Sequence, residues 1–150
     1  MFEIGKVYNR QKEIHGVYKG QQYGGISTPK DHPYIFIFTS NAGEEFGYSD
    51  GFHPDGTFRY TGEGQEGDMK MEKGNLAIRD HKLNGKEILL FEEFSSGHSK
   101  FLGFCDFLDH HIEIRPDKHD QMRNAFIFHL ELYSKAEGIK AHTQGEPELL

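Results

Sequence analysis

Two tyrosines and one carboxylate, set among glycines, are the residues of this chain best suited to holding a flat, polar ligand. They lie in Gly47-Tyr48-Ser49-Asp50-Gly51 and in Tyr60-Thr61-Gly62-Glu63-Gly64-Gln65. Two aromatic rings can stack on either side of a planar base, and a carboxylate accepts from an exocyclic amine of the cytosine type. Glycines beside them let the backbone approach a base edge, since no Cβ intervenes. On the residues alone a second reading stands beside the first: a glycine-rich hairpin whose tyrosines pack on the core.

Other chemistry finds less support. There are 10 histidines, and His110-His111 with His119 raise the idea of a metal or an HNH nuclease site. Such a site needs a ββα unit around the metal. After His111 the chain instead continues Ile-Glu-Ile-Arg-Pro-Asp, a strand and loop pattern. These histidines therefore read as exposed strand and loop residues, and no metal or cofactor is expected. Glu92-Glu93 sits at a strand end and reads as solvated. Neither a nucleophile elbow nor a P-loop is present, so no catalytic residue is assigned. A small enzyme acting on a nucleotide or modified base stays open as an alternative, but the pocket segment lacks a second acid or base.

The elements that must position these residues follow from composition and pattern. A chain of 150 residues suits one domain. Its hydrophobic fraction is only 35%, offset by 13 Phe and 7 Tyr, which bury more area each than aliphatic residues do. With 18 glycines punctuating turns, this favours a β-dominated fold. The single cysteine excludes an internal disulfide and a zinc ribbon. No signal-peptide pattern or membrane-length apolar run occurs, which predicts a soluble, cytoplasmic protein with no membrane partner. The net charge of -7 argues against attraction to nucleic acid by the overall field, though a basic face on an acidic body remains compatible with it.

Tyr34-Ile35-Phe36-Ile37-Phe38-Thr39 is the clearest strand, apolar on both faces and therefore central. Further strands are predicted at 57–61, 87–92, 100–108, 110–114 and 124–133, and one turn of helix at 9–15. The best helix candidate is 74–82, with Asn75 as its cap and Gly85 as its stop. The sum is about five to seven strands with one or two helices. Residues 1–133 form the domain, and 134–150 read as a polar linker or tail.

The order Gly47-Tyr48-Ser49-Asp50, Tyr60-Thr61-Gly62-Glu63-Gly64, Gly67-Asp68 and Gly74-Asn75-Leu76-Ala77-Ile78 resembles SRA domains, the SET- and RING-associated readers of modified cytosine. In that family a Gly-Gly-Tyr-acidic turn leads to Tyr-Thr-Gly-Ser-Gly-Gly, and then to a Gly-Asn helix start. His15 with Gly24-Gly25-Ile26 and the strand Gly103-Phe104-Cys105-Asp106-Phe107 echo further family segments. The wording is most similar to SRA-like domains fused to HNH nucleases in bacterial Mcr-type restriction enzymes, over about residues 5–133.

The resemblance implies an α+β fold of the SRA/PUA-like kind: a twisted, partly closed β-barrel with flanking helices. It implies a non-catalytic module that binds duplex DNA carrying a 5-modified cytosine, methyl or hydroxymethyl, by flipping the base. The module would target an HNH restriction endonuclease in bacterial defence. Binding DNA by shape, without flipping, is the other reading. The stacking rings fall on Tyr48 and Tyr60, and Thr61 and Gly62 line the pocket. The base-edge carboxylate falls on Asp50 or one position later, where Gly51 stands. Asp68 matches an acidic position taken as structural. Gln21, Gln22 and Tyr23 form an early loop that either enters a groove or is simply solvated. Arg10, Lys12, Arg59, Lys73 and Arg79 are the principal candidate DNA contacts, with Lys19, Lys70 and Lys82 beside them.

Overall fold

The computed structural model describes residues 1–40 and 50–133. The elements are β1 (Val7–Asn9), a π-helical turn (Arg10–His15) running into α1 (Gly16–Tyr18), β2 (Ile26–Ser27), β3 (Tyr34–Thr39), β4 (Gly51–Phe52), β5 (Phe58–Thr61), α2 (Lys73–Arg79), β6 (Glu87–Ser95), β7 (His98–Pro116) and β8 (Met122–Tyr133). One mixed sheet of eight strands runs in the order β2-β3-β6-β7-β8-β5-β4, with β1 added along β7. β3 and β6 are parallel and every other pair is antiparallel.

The apolar run of β3 has a direct reason, because both of its faces are covered. Ile35 and Ile37 join Tyr60, Ile78, Leu90, Phe128 and Leu130 in one core. Phe36 and Phe38 point the other way, into a second core with Ile14, Leu89, Phe91 and Phe101. Five phenylalanines (Phe36, Phe58, Phe91, Phe101 and Phe128) are fully buried. At about 1.5–3 kcal/mol for each such side chain, they offset the low apolar fraction of the sequence.

The helical turn that roofs the second core starts with reciprocal capping. Asn9 Oδ1 accepts from Lys12 N at 2.9 Å, while Glu13 Oε1 accepts from Asn9 N at 2.8 Å. A capping box normally spans three residues, and here the wider π turn moves the acid one residue on.

Several expectations are corrected. The helix predicted at 74–82 occupies Lys73–Arg79, and Asn75 lies inside it rather than capping it. Its side chain is committed elsewhere, as shown below. The strands predicted at 100–108 and 110–114 are one strand, β7, with a register shift between Phe107 and Asp109 where a break was expected. A bulge absorbs the irregularity without ending the ladder. The described residues form eight strands, where five to seven were expected.

The expected partly closed barrel is, in hydrogen-bonding terms, an open sheet. Among the described residues β4 and β2 end the ladder without pairing to each other. The sheet nonetheless curls, and a side chain bridges the gap. The Tyr60 hydroxyl on β5 donates to Gly25 O at 2.9 Å and to Phe38 O at 3.2 Å, both on the opposite side of the opening.

Candidate functional site

Asp50 is the described carboxylate closest to the predicted pocket chemistry. Its Oδ1 accepts from Thr61 N at 2.8 Å and also from the Thr61 hydroxyl. Burial raises the carboxyl above the ordinary carboxylate range, against the Thr61 hydrogen bonds, the attraction of Arg115 and the neighbouring Thr39, all of which pull it down. Both Thr61 bonds fall on one oxygen. Asp50 thus stands at the end of β5, linked to Thr61 and adjacent to the end of β3.

Tyr60 lies next to it but in a different environment. Its ring is only 4% exposed and belongs to the inner core. Burial pushes its phenol far upward, with the charges of Asp50 and Glu63 adding to the effect. The hydroxyl is a donor to two carbonyls and is not offered to a ligand. A Cβ on Gly25 would meet that hydroxyl at 2.6 Å, so glycine is required there by close approach. Tyr48, the predicted second ring, lies outside the described residues.

Gly62, Glu63 and the Gly74-Asn75 pair form one lock. Asn75 Oδ1 accepts from Glu63 N at 2.9 Å, and its Nδ2 donates to Glu63 O at 2.9 Å and Lys70 O at 3.0 Å. Glu63 Oε2 in turn accepts from Gly74 N at 2.9 Å. A Cβ on Gly62 would sit 2.7 Å from Asn75 Oδ1 and 3.1 Å from Phe128. The spacing of the Tyr-Thr-Gly-Glu and Gly-Asn segments is therefore that of two pieces of backbone held together by one buried amide. Asp68 Oδ1 accepts from Asn124 N at 2.8 Å, fastening the following loop to β8. This loop, the Gly24-Gly25 turn and the start of α2 line a cleft of about 480 Å³, with Lys70 and Lys73 among its walls.

The candidate cations divide into tied and untied groups. Arg10 donates from Nε to His15 Nε2 at 2.8 Å and from Nη2 to Gly24 O at 2.8 Å, and its guanidinium lies 3.7 Å from the Phe38 ring centre. Arg10 thus holds the 20–25 loop in place. Arg59 pairs with Asp55 at 3.0 Å, and Arg79 with its neighbour Asp80 at 2.9 Å. Lys12 and Lys73 are exposed. In the early loop, Gln21 Oε1 accepts from Thr28 N at 3.0 Å, which shapes the loop from inside. Gln22 is exposed, and Tyr23 is 82% exposed. Both line a second cleft of about 490 Å³, with Phe94 on the β6–β7 hairpin across from them.

Sequence reading missed His81. This 3%-exposed imidazole carries its proton on Nδ1, which faces Lys86 O at 2.8 Å, and Nε2 accepts from Phe107 N at 3.0 Å. It pins the end of the α2 segment to β7 at the bulge. Burial lowers its pKa. A lone histidine in a polar stretch carries no sequence signal for this role. Cys105 is a fully buried free thiol, its pKa raised by burial. No described helix is long and apolar enough to cross a membrane.

The family model for the ScoMcrA-like SRA domain matches residues 4–138. The chain belongs to the ScoMcrA-like SRA domain family. Among solved structures, it is similar to the sulfur-binding and SRA domains of ScoMcrA in complex with phosphorothioated DNA. The TM-score is 0.72 at 22% identity, over 90% of this chain and 41% of that one. The structure of ScoMcrA, a Type IV phosphorothioation-dependent restriction endonuclease, matches at the same TM-score over 29% of its chain. The SRA domain of SUVH5 in complex with fully methylated CG DNA matches at TM-score 0.62 and 18% identity, over 99% of this chain and 94% of that one. At these identities the structures establish the SRA-like fold. The chain spans less than half of either ScoMcrA chain. No curated protein matches it.

Proposed function

We propose that this SRA domain is a duplex-DNA-binding module that recognises a 5-modified cytosine by flipping it out of the stack, and that it directs a linked nuclease to modified DNA. The observation that carries the reading is the Asp50 carboxyl, held by Thr61 through one oxygen at the mouth of the curled sheet. Its Oδ2 is the atom to accept from the cytosine amine. Tyr60 is the fixed inner wall, and Tyr48 supplies the stacking ring. Flipping costs a few kcal/mol. A stacked base contributes about 1–3 kcal/mol and a well-placed edge contact about as much, so one of each can offset the flip.

The relatives support DNA as the ligand, since SRA domains of ScoMcrA and SUVH5 are complexed with phosphorothioated and methylated DNA. The SUVH5 domain also takes fully hydroxymethylated CG DNA. The exposed Lys12 and Lys73 serve as phosphate contacts, and the Gln22-Tyr23 loop enters a groove. The nuclease, of the HNH type in this reading, is supplied by a neighbouring domain.

The test is titration with matched duplexes carrying cytosine, 5-methylcytosine, 5-hydroxymethylcytosine and a glucosylated form, each with and without a phosphorothioate linkage. A preference for a 5-modified base supports the reading. Equal affinity for all base forms sinks it.

A second reading, binding by DNA shape without flipping, is favoured by the burial of Tyr60, whose ring offers a base no open face. Fluorescence of 2-aminopurine beside the modified cytosine separates the two. It rises if the base leaves the stack and stays unchanged if the duplex is read intact.

A further inference from the structure

On the outer face of the β5-β8-β7 sheet lies a cluster that the DNA-binding reading does not use. His111 on β7 and His129 on β8 are diagonal across the ladder, since the register pairs His111 with Ile127 and His129 with Asp109. Diagonal neighbours of this kind are close enough for long or aromatic side chains to meet. His111 Nδ1 faces His129 Nε2 at 2.6 Å, and the ring centres are 4.8 Å apart. The other nitrogen of His111, Nε2, lies 2.7 Å from Glu113 Oε2, and Glu113 is held by Arg115 at 2.6 Å.

This arrangement settles the protons. Glu113 is the carboxylate that Arg115 grips through Oε1, so the 2.7 Å contact at Oε2 is made by an N–H donated from His111 Nε2. A neutral His111 then presents a lone pair at Nδ1, aimed at His129. An imidazole that gives its far N–H to a carboxylate and points its other lone pair outward is the orientation that metal-binding histidines adopt. We propose that His111 Nδ1 and His129 Nε2 together bind a divalent transition-metal ion of the zinc, nickel or copper class, with water completing its shell.

Binding requires the proton shared by the two rings to leave His129 Nε2 for its own Nδ1, so that both facing nitrogens offer lone pairs. Nitrogens about 2.0–2.1 Å from a tetrahedral ion stand about 3.3 Å apart, so the rings must separate slightly. Both lie on the sheet surface, where this is possible. No group of three or more metal-ligating side chains occurs among the described residues, so this is a two-ligand site. Two imidazoles select the borderline metals over calcium or magnesium. The ion would tie β7 to β8 midway along their hairpin, between the Phe104–Tyr133 and Pro116–Met122 ends of the ladder. Around the pair stand Arg59, held by Asp55, together with Asp109, Glu113 and Arg115. The arginines weaken cation binding and the carboxylates favour it.

The test is calorimetric titration of the untagged chain with zinc chloride at neutral pH, alongside thermal melts with and without zinc. One ion per chain is expected, with a raised Tm. His111→Ala and His129→Ala each weaken binding at least about tenfold and abolish the Tm rise, and Glu113→Gln weakens it by about tenfold through the orienting bond. His119→Asn leaves it unchanged. If an alanine variant does not fold, His129→Asn replaces it. Absence of saturable binding overturns the site, as does binding that survives both histidine substitutions or vanishes with His119.

Discussion

Replacing Asp50 by asparagine separates the carboxylate's role in binding from its role in the fold. Asp50 accepts both Thr61 hydrogen bonds on Oδ1. The amide oxygen of an asparagine can keep both, while its NH₂ takes the place of Oδ2. Each bond weakens, since bonds to a charged acceptor are worth about 1.5–3 kcal/mol and neutral ones about 0.5–1.5. Against this, a buried charge disappears, and the raised pKa of Asp50 says that burial of that charge outweighs its hydrogen bonds. The expected change in stability at neutral pH is therefore within about 1 kcal/mol.

For a flipped cytosine the exchange is different in kind. The exocyclic amine now meets a donor, with a cost of about 1–3 kcal/mol, or roughly 5- to 150-fold in affinity. Fluorescence-anisotropy titration of Asp50→Asn should show this loss for modified duplex and little change for plain duplex, with a stability change in urea denaturation of no more than about 1 kcal/mol. A variant that keeps the wild-type preference to within about twofold would refute the assignment of Asp50 to the base edge. The pH profile offers a second check. A carboxyl whose folded pKa is raised contributes stability below its unfolded pKa and loses it as pH rises through the folded value. The variant should lack that acid-side contribution.

Asn75→Ala removes an amide that makes three hydrogen bonds to Glu63 and Lys70. At about 0.5–1.5 kcal/mol each, with partners left partly buried, a loss of about 2–4 kcal/mol is expected in urea denaturation; a loss below about 1 kcal/mol would show that the lock is not needed. His81 must stay neutral to accept from Phe107 N, and its pKa is lowered. Its stabilising contribution is present above the unfolded value of about 6.5 and lost as pH falls through the folded value. Thermal melts across this range should therefore show falling Tm toward acid, with a smaller dependence in His81→Gln. Lys12→Ala and Lys73→Ala should each weaken binding to all duplexes alike and reduce the salt slope by about one. Sequence-selective loss would instead place either lysine at a base edge.

Much of the fold could be read along the chain because its signals are local. The β3 run announces itself by consecutive apolar β-formers, and the helical turn expected at 9–15 is held by capping bonds that the structure shows to span only three and four residues. Where the reading failed, a local signal was outweighed by a distant partner. Asn75 looks like a cap by its position, yet its amide is consumed by Glu63, 12 residues away. The break expected near Asp109 is a bulge in β7, because β8 pairs along both sides of it.

The candidate site divides in the same way. The residue types and order at Asp50, Tyr60, Thr61 and Gly62, and the family they point to, were determined by the sequence itself, since motif spacing survives without coordinates. Only the tertiary structure decided that Tyr60 is a core residue bridging the sheet opening, that Arg10 braces a loop through a carbonyl 14 residues on, and that His111 meets His129 across two strands. Each of these depends on how far the sheet curls and in which register its strands pair. That geometry is set by packing summed over the whole core, and no short stretch of sequence encodes it.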